Sequence, residues 1–191
     1  MTRIQIWNGD ICDLEVDAIV NAANTSLWMS TGVGGALKQA GGEQIEFAAV
    51  RQAPVSLGDA IVTPAGRLAA RMIIHAVSLD RDRRTSAAVI QAAIRSAFAR
   101  AREHGVTTIA FPALGTGVGG FPLEEAARIT VETVRDELRR SPGIESVVLA
   151  LHGAAAYEAY LAAIREPVAI EIQAEPATPL ERVERSRGVP A

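Results

Sequence analysis

A three-layer α/β/α sandwich, with helices on both faces of a central mixed and mostly parallel sheet, is the fold class this sequence predicts. Three observations lead there. Short runs rich in Ile and Val take turns with longer runs in which Ala and Leu recur every three or four residues, which is the pattern of strands alternating with helices. The 191-residue length suits one domain with a large core. Apolar residues make up 49% of the chain, mostly Ala, Val, Ile and Leu, enough to fill such a core.

The strand-like runs are Arg3–Trp7, Asp17–Val20, Asp59–Thr63, Arg71–Val77, Thr107–Phe111 and Ser146–Leu151, most of them bounded by Gly, Pro, Asn or Asp. Helical periodicity covers Val33–Ala40, Glu43–Gln52, Ser86–His104, Leu123–Arg139 and Ala154–Arg165. Thr85 or Ser86 is placed to cap the third helix, and Gly105 to end it in a left-handed conformation. Pro122 is expected in the first turn of the fourth helix, where its missing N–H costs nothing. After Arg165 the pattern breaks: residues 166–191 read as a tail with several prolines, in which Val168–Ile172 alternates enough for one short edge strand. The folded domain is therefore expected over residues 1–165.

Composition removes several function classes. A net charge of −3 is too small for a nucleic-acid footprint or a membrane-binding surface. Cys12 is the only cysteine, so neither an internal disulfide nor a cysteine-paired metal site can form, and no metal or cofactor is expected. The opening residues lack a basic segment with an apolar signal core, and no stretch is long enough to span a bilayer, so a cytoplasmic protein is expected.

The pentapeptide Thr-Gly-Val-Gly-Gly occurs twice, at Thr31–Gly35 and Thr116–Gly120, each time between a strand-like and a helix-like run. Glycine exposes backbone N–H groups to close approach, and a following helix adds unpaired donors and a partial positive charge, so both loops suit phosphate oxygens. Connecting turns are the plain alternative for either loop alone. Asp10 follows the first strand, and Asn21 and Asn24 follow the second. A carboxylate there can accept from an exocyclic amine, and Asn amides can both donate to and accept from ribose hydroxyls. Turn or cap chemistry explains each of the three equally well taken singly.

Taken together, the segments resemble a known family, the macrodomains, which bind ADP-ribose and its derivatives. Gly9-Asp10-Ile11, then Val16 to Asn24, then Gly32-Val33-Gly34-Gly35-Ala36-Leu37 are similar to the family's N-terminal signature in order and spacing. Ile73-Ile74-His75-Ala76-Val77 resembles its internal strand, and Ile109 to Gly120 its second phosphate loop. The resemblance implies that Asp10 accepts from the adenine amino group while the Ile11 N–H reads a ring nitrogen. It implies that Gly32, Val33, Gly34 and Gly35 lie along the distal ribose and one side of the diphosphate. Gly115, Thr116, Gly117, Val118, Gly119 and Phe121 would hold the other side, and Asn24 would contact the distal ribose. Asn21 either joins that contact or holds the loop. His152 either stacks on adenine or is a surface residue at a strand end, and Phe121 either closes over the ribose or belongs to the core. His75, among apolar residues with no Ser, Cys or acid beside it, reads as a packed core histidine. Cys12, where many relatives carry Thr, reads as a small buried thiol.

One departure bears on activity. Macrodomains that hydrolyse ADP-ribosyl esters typically carry an Asp directly after the residue matching Val33, and this chain has Gly34 there, which cannot take a proton. Ser30 and Thr31 also replace glycines common in that loop. The expected function is therefore binding of ADP-ribose, free or on a modified protein. The first alternative is hydrolysis in which the substrate's own phosphate and Asn24 position the water, with Asn24 as the one catalytic residue. The second is a module for RNA or polymeric ADP-ribose, against which the acidic balance and sparse aromatics argue.

Overall fold

The computed structural model describes residues 3–165; the tail and its Val168–Ile172 segment lie outside the described residues. Within them the strands are β1 (Arg3–Asn8), β2 (Ala18–Asn24), β3 (Ala60–Pro64), β4 (Met72–Leu79), β5 (Thr108–Phe111) and β6 (Ser146–Leu151). The helices are α1 (Gly32–Gly41), α2 (Gln44–Val50), α3 (Ala87–Glu103), α4 (Leu123–Arg140) and α5 (Ala154–Arg165), and one 3-10 turn spans Ile11–Asp13. No helix among them is long and apolar enough to cross a membrane.

The sheet runs β1-β6-β5-β2-β4-β3, with every neighbour parallel except β3, which is antiparallel to β4. Side chains alternate across it, as strand geometry requires. Ala18, Val20, Ile74, Ile109, Phe111, Val147 and Leu149 point into one core with Ile90, Ile94 and Phe98 of α3, Val131 and Val134 of α4 and Tyr160 of α5. Ile19, Ile73, Ala110, Val148 and Ala150 point the other way, against Leu37 of α1, Ile45 of α2 and Ile11. This gives the three layers expected, with helices on both faces and a sheet that is mixed because of β3 alone.

Two expectations shift. The second strand does not stop at Val20 but continues through Asn24, because Asn21 pairs in register with His75 and its Nδ2 donates to the ring's Nδ1. Pro122 stands just ahead of α4 rather than inside its first turn; its carbonyl accepts from the Ala126 N–H at 2.9 Å. Ser86, not Thr85, caps α3, its hydroxyl accepting from the Val89 N–H, and Gly105 has the left-handed φ of 60°.

The amino edge of the sheet is tied by one carboxylate. Asp17 Oδ2 accepts from the Thr107 N–H and hydroxyl, both at 2.7 Å, and from the Thr108 N–H at 3.1 Å, while Oδ1 accepts from Arg71 at 3.1 Å. Burial alone would raise this carboxyl, but the donors from Thr107, Arg71 and Thr108 outweigh it and hold the group well below the usual carboxylate range. The latch joins β2, β4 and β5 where the three strands begin.

At the other edge β5 and β2 part. They pair at only Ala18↔Ile109 and Ile19↔Ala110, and the chain leaves β2 towards β4 but leaves β5 towards β6. A crevice at strand carboxyl ends where connections diverge is where open α/β sheets take ligands.

Candidate functional site

Five loops meet over that crevice, one after each parallel strand. The first carries Gly9, Asp10 and Ile11; the second runs from Thr25 into α1; the others follow β4, β5 and β6. They enclose two adjoining cavities. One, of about 470 Å³, is lined by Asp10, Ile11, Gly32, Val33, Thr116, Gly117 and His152, among others. The second, of about 230 Å³, has Asn21, Asn24, Ser30, Thr31 and Gly34 in its walls. Consecutive residues of each Gly loop divide between the two: Gly32 and Val33 face the first and Gly34 the second, as do Thr116 and Gly117 against Val118. The larger cavity falls in the size range of small-molecule sites, roughly 300–1,000 Å³.

The Gly loops offer backbone donors. Thr31 precedes α1, but its hydroxyl caps no helix N–H, so the first turn keeps unpaired donors beside the crevice. Gly32 there takes φ 58° and Gly115 in the second loop φ 79°, a conformation that side chains rarely adopt. A Cβ on Gly119 would come within 2.6 Å of the Gly115 carbonyl oxygen, so that loop folds tightly on itself, whereas a Cβ on Gly117 would meet nothing within 4 Å. Gly117 thus opens onto empty space in the cavity wall.

The polar side chains are not equally available. Asp10 is exposed, and Oδ1 accepts from the Cys12 N–H at 2.9 Å, capping the 3-10 turn. Its carboxylate thus does the turn chemistry anticipated for it and still faces the cavity. Burial first, and then the Asp10 carboxylate beside it, push the half-buried Cys12 thiol up to about 12, so it is no nucleophile at neutral pH. Asn24 organises its own turn: Oδ1 accepts from the Ser26 N–H at 3.0 Å and from its hydroxyl at 2.7 Å, and Nδ2 donates to the Trp28 carbonyl at 3.1 Å.

Asn21 is buried, and its Nδ2 donates to His75 Nδ1 at 3.1 Å. That bond makes Nδ1 the acceptor, so the proton sits on Nε2, which donates to the Thr63 hydroxyl at 2.9 Å. Burial lowers the His75 pKa to about 4 and keeps the ring neutral, so it is the packed, hydrogen-bonded core histidine expected. Asn21 Oδ1 has no partner, and a Cβ on Gly34 would stand 3.3 Å from it. The Asn21 side-chain hydrogen bond runs across the sheet to His75 rather than to the loop, which leaves Oδ1 as an unpartnered acceptor at the wall of the smaller cavity.

Not every anticipated residue reaches the cavities. Gly35 lies behind α1's first turn, beside Lys38 and Gln39. Phe121 packs against the main core, and Gly115 and Gly119 shape the second loop from behind. His152 is exposed on the wall of the larger cavity. Sequence reasoning missed Asp80, Arg81 and Arg83, which stand with Trp28 at the mouth of the smaller cavity. The run Asp80–Arg84 offers a charge cluster straight after a strand, and that signal is readable once the strand's end is known. Among the described residues no group of three or more His, Cys, Asp or Glu side chains could hold a metal ion.

Comparisons with known proteins agree with this geometry. The Macro domain family profile matches residues 20–130. A protein of Mycobacterium tuberculosis is 43% identical over 166 residues, which is 86% of this chain but 45% of that protein, so the chain spans under half the length of this relative. O-acetyl-ADP-ribose deacetylase 1 of Pantoea vagans is 36% identical over 167 residues, covering 84% of this chain and 98% of the relative. The Trypanosoma brucei macrodomain, solved in complex with ADP-ribose, superposes with a TM-score of 0.79 at 28% identity, covering 84% of this chain and 68% of that one. This chain is a member of the macrodomain family.

Proposed function

We propose that this protein binds ADP-ribose, either free or as the terminal group on a modified protein. The observation that carries this reading is the divided crevice. It has a carboxylate at one end, two Gly-rich loops across its middle and an amide-lined cavity at the other end. In this reading Asp10 accepts from the adenine amino group and the Ile11 N–H reads the ring, with His152 beside it. The uncapped first turn of α1 at Gly32, Val33 and Gly34, and the Thr116-Gly117-Val118 segment opposite, donate to the diphosphate. The distal ribose enters the smaller cavity near Asn24. The ADP-ribose complex of the Trypanosoma brucei relative supports the same ligand. Calorimetric titration with ADP-ribose tests it, with one ligand bound per chain as the expected result.

A second reading, hydrolysis of ADP-ribosyl esters, is favoured by the Pantoea vagans deacetylase, which this chain matches over nearly that relative's whole length. Gly34 weighs against a protein base on α1. In the smaller cavity the one lining carboxylate is Asp80, whose Oδ1 already accepts from the Arg84 N–H at 2.7 Å. Hydrolysis would then rest on the substrate's phosphate orienting water, with Asn24 holding the loop that frames it. Release of ADP-ribose from a Glu- or Asp-modified protein decides the point, with Asn24→Ala as control; release that is undiminished in the control removes Asn24 from the mechanism.

A further inference from the structure

We infer that the mouth of the smaller cavity is a docking rim for an acidic polypeptide segment, the part of a modified protein that flanks its ADP-ribosylated residue. The inference rests on the ADP-ribose reading above, since that ligand's distal ribose points the attached protein out through this mouth. The rim has two unlike sides. On one, Trp28 and Val118 are 58% and 51% exposed, large apolar side chains left in water beside a polar cavity. Exposed apolar groups ringed by polar ones mark protein contact surfaces, and Trp and Arg carry much of the energy of such contacts. On the other side the loop after β4 closes on itself through Asp80 N to Arg84 O at 3.0 Å and Arg83 N to Asp80 O at 3.2 Å, with Arg83 at φ 63°.

That tight turn holds Arg81 and Arg83 at the mouth with their guanidinium groups exposed. Neither takes part in any ion pair among the described residues, although seven other ion pairs form there. The turn Asp80–Arg84 sets Arg81, Arg83 and Arg84 against Asp80 and Asp82, and the Asp80 carboxylate is partly occupied by the Arg84 N–H, so this side of the mouth is net positive on a chain whose net charge is −3. Flanking Asp or Glu side chains would pair with the two arginines, while their backbone and aliphatic atoms lie on Trp28 and Val118.

The test uses the full chain and three probes in equilibrium binding. These are free ADP-ribose, a peptide bearing one non-hydrolysable ADP-ribosyl group flanked by Glu, and the same peptide flanked by Gln. The Glu peptide is expected to bind about threefold to tenfold tighter than the Gln peptide at low salt, the scale of exposed ion pairs. The advantage shrinks as salt is raised. The double variant Arg81→Ser with Arg83→Gly, which tolerates the left-handed φ, is expected to abolish the advantage and leave free ADP-ribose affinity unchanged. Trp28→Ala should weaken both peptides and not the free ligand. Equal affinity for the two peptides, or an advantage that survives the double variant, overturns the rim. Failure of free ADP-ribose to bind the unmodified chain overturns the proposed function itself, and the rim with it.

Discussion

The two ends of the central sheet are built on opposite plans. At the amino edge the Asp17 carboxylate takes four hydrogen bonds from Thr107, Thr108 and Arg71, tying β2, β4 and β5 together. At the carboxyl edge β5 parts from β2, the first turn of α1 has no side-chain cap, and Gly117 faces open space. Satisfied polar groups stabilise a fold but have nothing left to offer a ligand, whereas unsatisfied donors on a rigid frame cost some stability and supply binding. Stability and recognition are thus divided between the opposite ends of the same strands, and that division predicts which substitutions separate them.

The largest effect is expected at the latch. Asp17→Ala should lower unfolding free energy by about 3 kcal/mol, the scale for losing several charge-assisted hydrogen bonds, while the folded fraction keeps its ADP-ribose affinity. Chemical denaturation and calorimetry on the same sample check both halves; a parallel loss of affinity would break the division. Next, Asp10→Ala should weaken ADP-ribose by about 1–3 kcal/mol through the lost charged acceptor, and unchanged affinity would remove Asp10 from the site. Gly117→Val should cost about 1–2 kcal/mol of binding by filling the open wall, yet shift stability by no more than about 0.5 kcal/mol, since its Cβ meets no neighbour.

The gentlest effect is that of pH on His75, which lies between the two ends. Its pKa falls from 6.5 when unfolded to about 4 when folded, so in that window the unfolded chain binds the extra proton. Its contribution is complete above pH 6.5 and declines as pH falls to about 4, by at most about 1.4 kcal/mol per unit. Asp17, with a folded pKa below its ordinary 3.8, adds a further loss below that pH. Denaturation midpoints at pH 7, 5.5 and 4.5 trace the first part of this decline, and a flat profile would show that the folded His75 is not kept neutral.

Much of this was legible in the residues. Short runs rich in Ile or Val, such as Arg3–Trp7 and Ser146–Leu151, and the Ala-rich helical periods marked nearly every element, because each buries apolar side chains against its neighbours. The paired Gly loops were readable because close backbone approach needs glycine. The end of β2 was not, since Asn21 lies in the strand only by pairing with His75, a residue 54 positions away. The different duties of the two Asn residues were hidden for the same reason: local spacing shows Asn24 capable of holding a turn but says nothing of a partner across the sheet. The rim was hidden too, because Trp28, Arg81 and Arg83 meet only when β2 and β4 lie side by side.

The central claim, that the divided crevice holds ADP-ribose, is tested most directly by calorimetric titration of the full chain with ADP-ribose and, in parallel, with guanosine diphosphate. The account predicts saturable binding of one ADP-ribose per chain that is weakened by Asp10→Ala, and little response to the guanine nucleotide. No heat with ADP-ribose while guanosine diphosphate binds well would contradict it.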